Sequence, residues 1–366
     1  MIYLDNGATS FHKPPQVMQA VYRALGTCAN PGRGGYGAAM EAGRVVYQGR
    51  EEASALFGCL PEQVVFTGNC TQGLNMAIRT LVKPGSKVLI SGFEHNAVTR
   101  PLHLLGADVR VAGRKLFDPD DTLEAFDREL RKGVDAAVFT HVSNVFGYIL
   151  PVAQMARLCK QYRVPFIMDA AQSAGMLPVS LKELGADFIA MPGHKGLLGP
   201  QGTGILLCGR LPSVFLAGGT GSESMRQEMP DYLPDRAEAG TLNVPGISGL
   251  SAGIAYIRRQ GTDAILRREQ AMMKKCVGLL EKRGYRVFSG RHQSGTVSFV
   301  PKIDCEELAE QLGSLGIAVR AGLHCAPLAH ESAGTLETGT VRISFGHDAD
   351  FRQIMALTEA FRRIKD

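Results

Sequence analysis

The sequence predicts an α/β protein: a large domain around a mostly parallel sheet flanked by helices, followed by a smaller α+β domain. Three observations predict it. Short apolar runs alternate with helical patterns through the middle of the chain, as in sheets whose strands are joined by helices. That rhythm stops near Pro245, where long helical stretches take over. The length, 366 residues, exceeds what one hydrophobic core usually organises.

Taken in order, residues 64–67, 87–91, 136–141, 165–169, 188–191 and 204–208 read as buried strands. Between them, residues 71–81, 99–105, 123–130 and 152–162 carry helical spacing. Beyond residue 245, helices at 247–260 and 264–283 lead into short strands at 285–288 and 296–299. A helix near 305–315, a strand at 340–344 and a last helix at 349–363 complete the chain.

Hydrophobic residues make up 45% of the chain and charged residues 20%, enough apolar material for a substantial core. The 40 basic and 35 acidic side chains are scattered and give a net charge of +5. Without a run of like charges, neither a nucleic-acid arm nor a membrane-surface anchor is expected. A small anionic partner fits the mild excess. No stretch approaches the ~18 apolar residues of a membrane span, and the N-terminus lacks the features of a secretory signal. The eight cysteines (Cys28, Cys59, Cys70, Cys159, Cys208, Cys276, Cys305, Cys325) are dispersed, with no C-x-x-C pair. This is the pattern of a reduced, cytoplasmic protein rather than a disulfide or zinc framework, and no metal site is expected.

Chemistry concentrates at strand ends. Pro192-Gly193-His194-Lys195 follows the strand at 188–191. That puts a lysine where ligands of open α/β sheets gather and where a sheltered amine can form a Schiff base with a carbonyl cofactor. Asp169 ends another apolar strand, and a buried carboxylate needs a cationic partner such as a protonated pyridine nitrogen. Gly68-Asn69-Cys70-Thr71 opens a helix after a strand, offering N–H groups and a hydroxyl to a phosphate. Glu94-His95-Asn96 places an imidazole at the same sheet edge.

With Glu238-Ala239-Gly240-Thr241, these motifs make the chain resemble the fold-type I, class V aminotransferase-like enzymes. The resemblance runs from Tyr3-Leu-Asp-Asn-Gly-Ala-Thr to Val341-Arg-Ile-Ser and is strongest toward the cysteine desulfurase and selenocysteine lyase branch. It implies the fold of PLP-dependent transferases of type I, with a seven-stranded sheet. It also implies an N-terminal segment, residues 1–15, packed with the small domain. Residues 16–245 would form the large cofactor-binding domain, and residues 246–366 the small domain carrying a catalytic cysteine.

By the same resemblance, Lys195 would hold pyridoxal 5'-phosphate and Asp169 would pair with its ring nitrogen. Gln172 would bond the phenolic oxygen, and His95 would stack on the ring and move protons. Thr71 and His194 would contact the phosphate, with Cys70 beside them. Thr241 would reach the phosphate of a neighbouring subunit, which implies a homodimer with shared sites. Asn144 would orient cofactor and substrate, and Arg342 would clamp the substrate carboxylate through its planar fork. Arg33, in a glycine-rich stretch, would serve substrate from a flexible loop. One departure stands out: where the family often has a phosphate-binding serine, this chain has Pro192, which offers neither hydroxyl nor N–H.

The segment Ala318-Val-Arg-Ala-Gly-Leu-His-Cys325-Ala-Pro resembles the stretch that carries the catalytic thiol in one desulfurase group. It implies conversion of L-cysteine to L-alanine, with sulfur passed to Cys325 as a persulfide and onward to an acceptor protein. His324 and Arg320 are placed to favour the reactive thiolate. Other readings stay open: selenocysteine lyase activity on L-selenocysteine, another class V reaction such as epimerisation or transamination, or a non-catalytic sulfur carrier. Against the last stand the intact Lys195, Asp169 and Arg342. A formal G-x-G-x-x-G at Gly32–Gly37 lacks the preceding strand a dinucleotide site requires.

Overall fold

The computed structural model describes residues 1–32 and 34–364. The chain begins with a two-residue strand β1 (Ile2–Tyr3) and two helices, α1 (Pro15–Thr27) and α2 (Gly37–Phe57). A strand–helix alternation follows: β2 (Val64–Thr67), α3 (Cys70–Leu81), β3 (Lys87–Ser91), α4 (Asn96–Leu104), β4 (Asp108–Ala112), α5 (Pro119–Arg131), β5 (Ala136–Thr140), α6 (Val152–Tyr162) and β6 (Phe166–Asp169). A single turn α7 (Leu181–Leu184), β7 (Phe188–Pro192) and β8 (Gly204–Cys208) complete the large sheet.

That sheet has seven strands in the order β2-β8-β7-β6-β5-β3-β4. Its inner pairs are parallel, and β8 runs antiparallel to both of its neighbours. Strands buried on both faces explain the unbroken Val/Ile/Leu/Phe runs in the sequence. The element that sequence reading passes over is β4. As an edge strand it alternates exposed Asp108 and Arg110 with half-buried Val109 and Val111, so it carries no apolar run. Helices α1 and α2 were equally unmarked.

Helix α8 (Val244–Gln260) runs across the sequence boundary expected at residue 245. Its Val244, Ile247, Leu250 and Ile254 join the core of the large sheet. Helix α9 (Thr262–Lys282) then leads to β9 (Arg286–Phe288), β10 (Thr296–Val300), α10 (Cys305–Ser314), β11 (Ile317–Ala318), β12 (Arg320–Gly322), α11 (Pro327–Ala333), β13 (Thr340–Ser344) and α12 (Phe351–Arg363). Four of these strands form an antiparallel sheet, β12-β13-β10-β9, over a separate core that includes Val297, Phe299, Leu308, Val341 and Ile343. The N-terminus belongs to this part: β1 pairs in parallel with β11, and Leu4 is fully buried in the same core.

Register fixes where chemistry can occur. Thr140 lies opposite Asp169, and Asp169 opposite Ala190. The C-terminal ends of β2, β3, β5, β6 and β7 therefore meet at one edge of the sheet, the usual binding edge of open α/β folds.

Candidate active site

A cavity with about 530 Å3 of empty space opens at that edge. Its wall brings together Cys70, Thr71, His95, Asn144, Asp169, Gln172, His194 and Lys195, side chains spread over more than a hundred residues of sequence.

Asp169 ends β6 with its carboxyl buried. Oδ1 accepts from the Ala171 N–H at 2.8 Å and from the Cys70 thiol at 3.6 Å. Burial raises its pKa, while the Ala171 N–H, the Lys195 charge and the Cys70 thiol pull it back. Lys195 follows β7 by three residues, and among the described residues no hydrogen bond reaches its amine. Burial and then Arg342 lower its pKa, against the opposing pull of Asp169. A lowered pKa keeps more of the amine unprotonated, the form that attacks a carbonyl.

At the other end of the cavity α3 begins. Asn69 caps it, its Oδ1 accepting from the Gln72 N–H at 2.9 Å. The first turn leaves the N–H groups of Cys70 and Thr71 without intrahelical partners, beside the Thr71 hydroxyl. That is an anion cradle. His194 places Nδ1 3.0 Å from Thr9 Oγ1, and burial followed by the Lys195 and Lys13 charges pushes it down to about 4, so it is neutral at neutral pH. Pro192, paired with Gly204 across β7 and β8, contributes only ring surface to the wall.

His95 is the cap of α4, its Nδ1 accepting from the Ala97 N–H at 3.0 Å. That bond puts the proton of the neutral ring on Nε2. Burial and then the Lys195 charge push His95 down to about 4, which keeps it neutral. Gln172 is held by its Nε2 donating to the Gly7 carbonyl at 2.9 Å.

Sequence reasoning quoted Glu94 without giving it work. It is fully buried, and its Oε1 accepts from the Ser91 hydroxyl and, at 2.9 Å, from the Thr140 N–H. Burial pushes it up to about 8, so the carboxyl is protonated at neutral pH. It ties β3 to β5 directly before His95. Its position before the imidazole in Glu94-His95 was the available signal.

Cys325 lies outside that wall, in the turn between β12 and α11. His324 and Cys325 both occupy the left-handed region, with φ of 50° and 56°. Cys325 is exposed, whereas the other seven cysteines are buried or half-buried. Two hydrogen bonds of 2.8 Å fasten the turn to the cavity: the Asn96 N–H donates to the Cys325 carbonyl, and Asn144 Nδ2 to that of His324. His324 itself is buried with Nε2 3.2 Å from Thr340 Oγ1, and burial, then Arg342, push it down to about 2. A neutral imidazole supplies no positive charge to the neighbouring thiol, so His324 does not play the activating part expected of it.

Arg342 stands in the middle of β13, almost fully buried. Its Nη2 is 2.5 Å from Asp5 Oδ1, and Nη1 donates to the Asn144 carbonyl at 3.0 Å. Gly7 is what lets the N-terminal segment lie on this guanidinium, since a Cβ there would come within 3.0 Å of Cζ. Arg342 does not border the Lys195 cavity, although its charge reaches Lys195 and His95.

Thr241 does not line that cavity; it borders two other clefts with Glu238, one of which also touches Gly68 and Gln72. Glu238 is a buried anchor: Oε1 accepts from the Phe66 N–H at 2.6 Å and from Arg50 Nη1 at 2.9 Å, and Arg50 Nη2 is 2.5 Å from Oε2. The remaining expected site residue, Arg33, lies outside the described residues.

The sequence profile of the class-V aminotransferases matches residues 2–357. A protein of Methanothermobacter thermautotrophicus described as a probable cysteine desulfurase is 32% identical over 381 residues, covering 99% of this chain and 94% of its own. A cysteine desulfurase of Escherichia coli O157:H7 is 31% identical, covering 89% of this chain and 84% of its own. Among solved structures, an apo cysteine desulfurase from Thermococcus onnurineus NA1 superposes with a TM-score of 0.90 at 30% identity, covering 99% of this chain and 94% of that one. With the profile and these relatives matching over nearly the whole length, the chain belongs to the class-V aminotransferase family and groups there with the cysteine desulfurases.

Proposed function

We propose that this protein is a pyridoxal 5'-phosphate-dependent cysteine desulfurase that converts L-cysteine to L-alanine and receives the sulfur on Cys325. The observation that carries the reading is the turn at 324–325. It presents the one exposed thiol among the described residues and is bonded through its backbone to Asn96 and Asn144, beside the cavity of Lys195.

The donor set fits the cofactor. An unbonded, half-buried amine suits its aldehyde, a buried carboxyl its ring nitrogen, and a free helix N-terminus with Thr71 its phosphate. When bound, pyridoxal phosphate supplies an electron sink that labilises bonds of the substrate amino acid. Asp169 would hold the ring nitrogen protonated, its carboxyl fixed by the Cys70 thiol and the Ala171 N–H. His95, neutral with its proton on Nε2, would face the bound cofactor as a hydrogen-bond donor. Arg342, already oriented by Asp5, provides the positive field for the substrate carboxylate.

Cys325, as thiolate, attacks the substrate sulfur. An S–S bond forms, the C–S bond breaks with its electron pair left on carbon, and that carbon takes up a proton to become the methyl group of alanine. Because Thr241 does not line its own subunit's Lys195 cavity, a homodimer in which it serves the neighbouring site accounts for its place in the motif. Incubation with L-cysteine tests the reading by measuring alanine and sulfide together. Cys325→Ser is expected to lose sulfide release by at least about a hundredfold while keeping the cofactor's visible absorbance. Undiminished sulfide from that variant would reject the role of the thiol.

A further inference from the structure

Lys195 and Gln172 border a second cavity, lined also by Asn6 and Ser10 of the N-terminal segment and by Glu269 and His347. The volume open to the centre of a water molecule is about 30 Å3. One water needs ~10–15 Å3, so the cavity admits water but no metabolite. Two buried atoms of residues on its wall, Glu269 Oε2 and His347 Nδ1, have no hydrogen-bond partner among the described residues. Glu269 is 3% exposed and sits on the inward face of α9 with Ile265, Met273 and Cys276. A carboxyl there is costly unless water or a proton satisfies it.

We propose that this cavity holds bound water joining Glu269 to Lys195, and that Glu269 stores a proton for the Lys195 amine. In one direction the Glu269 hydroxyl passes its proton through water to Nζ, leaving carboxylate and ammonium. In the other, the ammonium returns it. Sequence reading had no access to this site, because Glu269 looks like one more charge on a long helix. The use of this proton in catalysis rests on the cysteine desulfurase reading; the water and the titration of Glu269 do not.

The charged and titratable groups around Glu269 are Asp348 and His347 ahead of α12, Arg268 on its own helix, His12 and Lys13 near His347, and Lys195 across the cavity. Burial and then Asp348 push Glu269 up to about 8, against Arg268. Below that pH it is neutral. Above it, the carboxylate favours the charged form of the amine.

Infrared difference spectra between the holoenzyme and Glu269→Gln, stepped through pH 8, read the carboxyl directly. A protonated-carboxyl band that fades as pH crosses about 8 is expected. In a visible pH titration of the cofactor on Lys195, Glu269→Gln is expected to lower the midpoint by about one unit, since the stabilising carboxylate is gone. Equal midpoints in the two proteins, or a Glu269 already ionised at pH 7, would overturn the proposal. A crystal structure of the unaltered holoenzyme decides it even if the variant fails to fold: water bonded to Glu269 supports it, and a dry cavity overturns it. A chain that takes up no pyridoxal phosphate would instead sink the desulfurase reading and leave the infrared and crystallographic results standing.

Discussion

Glu94 shows how one buried side chain shapes both site and stability. In the unfolded chain its pKa is near 4.5, and in the folded protein burial holds it near 8. The folded state therefore keeps a proton that the unfolded state releases between those values. Stability from this group is fully present below about pH 4.5 and is lost progressively as pH rises toward 8. Glu94→Gln, which keeps the acceptor for Ser91 and Thr140 but cannot ionise, is expected to flatten that decline. Denaturant midpoints of the two proteins should coincide near pH 4.5 and diverge toward pH 8 in favour of the variant. Parallel curves across this window would show that Glu94 carries no such proton. His95 and His194 have the opposite sign. Both are pushed down to about 4, so their burial costs stability only as pH falls below the usual imidazole range.

Among the elements, α3 matters most. A strand, a tight turn and a capped helix start bring Thr67, Asn69, Cys70 and Thr71 together, so the same residues that begin the helix form the anion cradle. Asn69→Ala removes the acceptor for the Gln72 N–H, and caps of this kind contribute about 1 kcal/mol. The variant is expected to lose about that much in a urea melt and to release pyridoxal phosphate more readily on dialysis. Unchanged retention of the cofactor would mean that the cap is a stability device only. Elements near the site were legible where periodicity was strong, as in α6 and β8, whose ends fall at the residues expected. They were illegible where exposure mixed the pattern, as in β4, and where a two-residue strand gains its meaning only from a distant partner, as in β1 with β11.

At the scale of the whole molecule, the chain folds back on itself so that its first ten residues meet its last strand. Asp5 bridges Ser344 and pairs with Arg342, and the Gly7 carbonyl accepts from Gln172. The C-terminal antiparallel sheet and its core thus reach the cavity through the N-terminal segment as well as through the 324–325 turn. The homodimer proposed above sets Thr241 at the cavity of a second copy. Light scattering is expected to give a dimer. Mixing Lys195→Ala subunits with Thr241→Ala subunits should then create one intact site per mixed dimer and restore desulfurase activity above either parent. A fully active monomer, or mixtures no better than their parents, would contradict the shared site.

The sequence by itself determined the α/β class, the strand ends that carry chemistry and the family, because those depend on local patterns and on residue types at short spacing. Lys195, Asp169, Gln172, His95 and Thr71 could be named from it, and the fold gathers them at one cavity. Only the tertiary structure decided the charge states and the partners. His324 is neutral because it is buried, Arg342 is oriented because a segment hundreds of residues away lies on it, and Glu269 stands at a water-sized hollow beside Lys195. Burial and long-range contact set these properties, and neither is written in the neighbourhood of a residue along the chain.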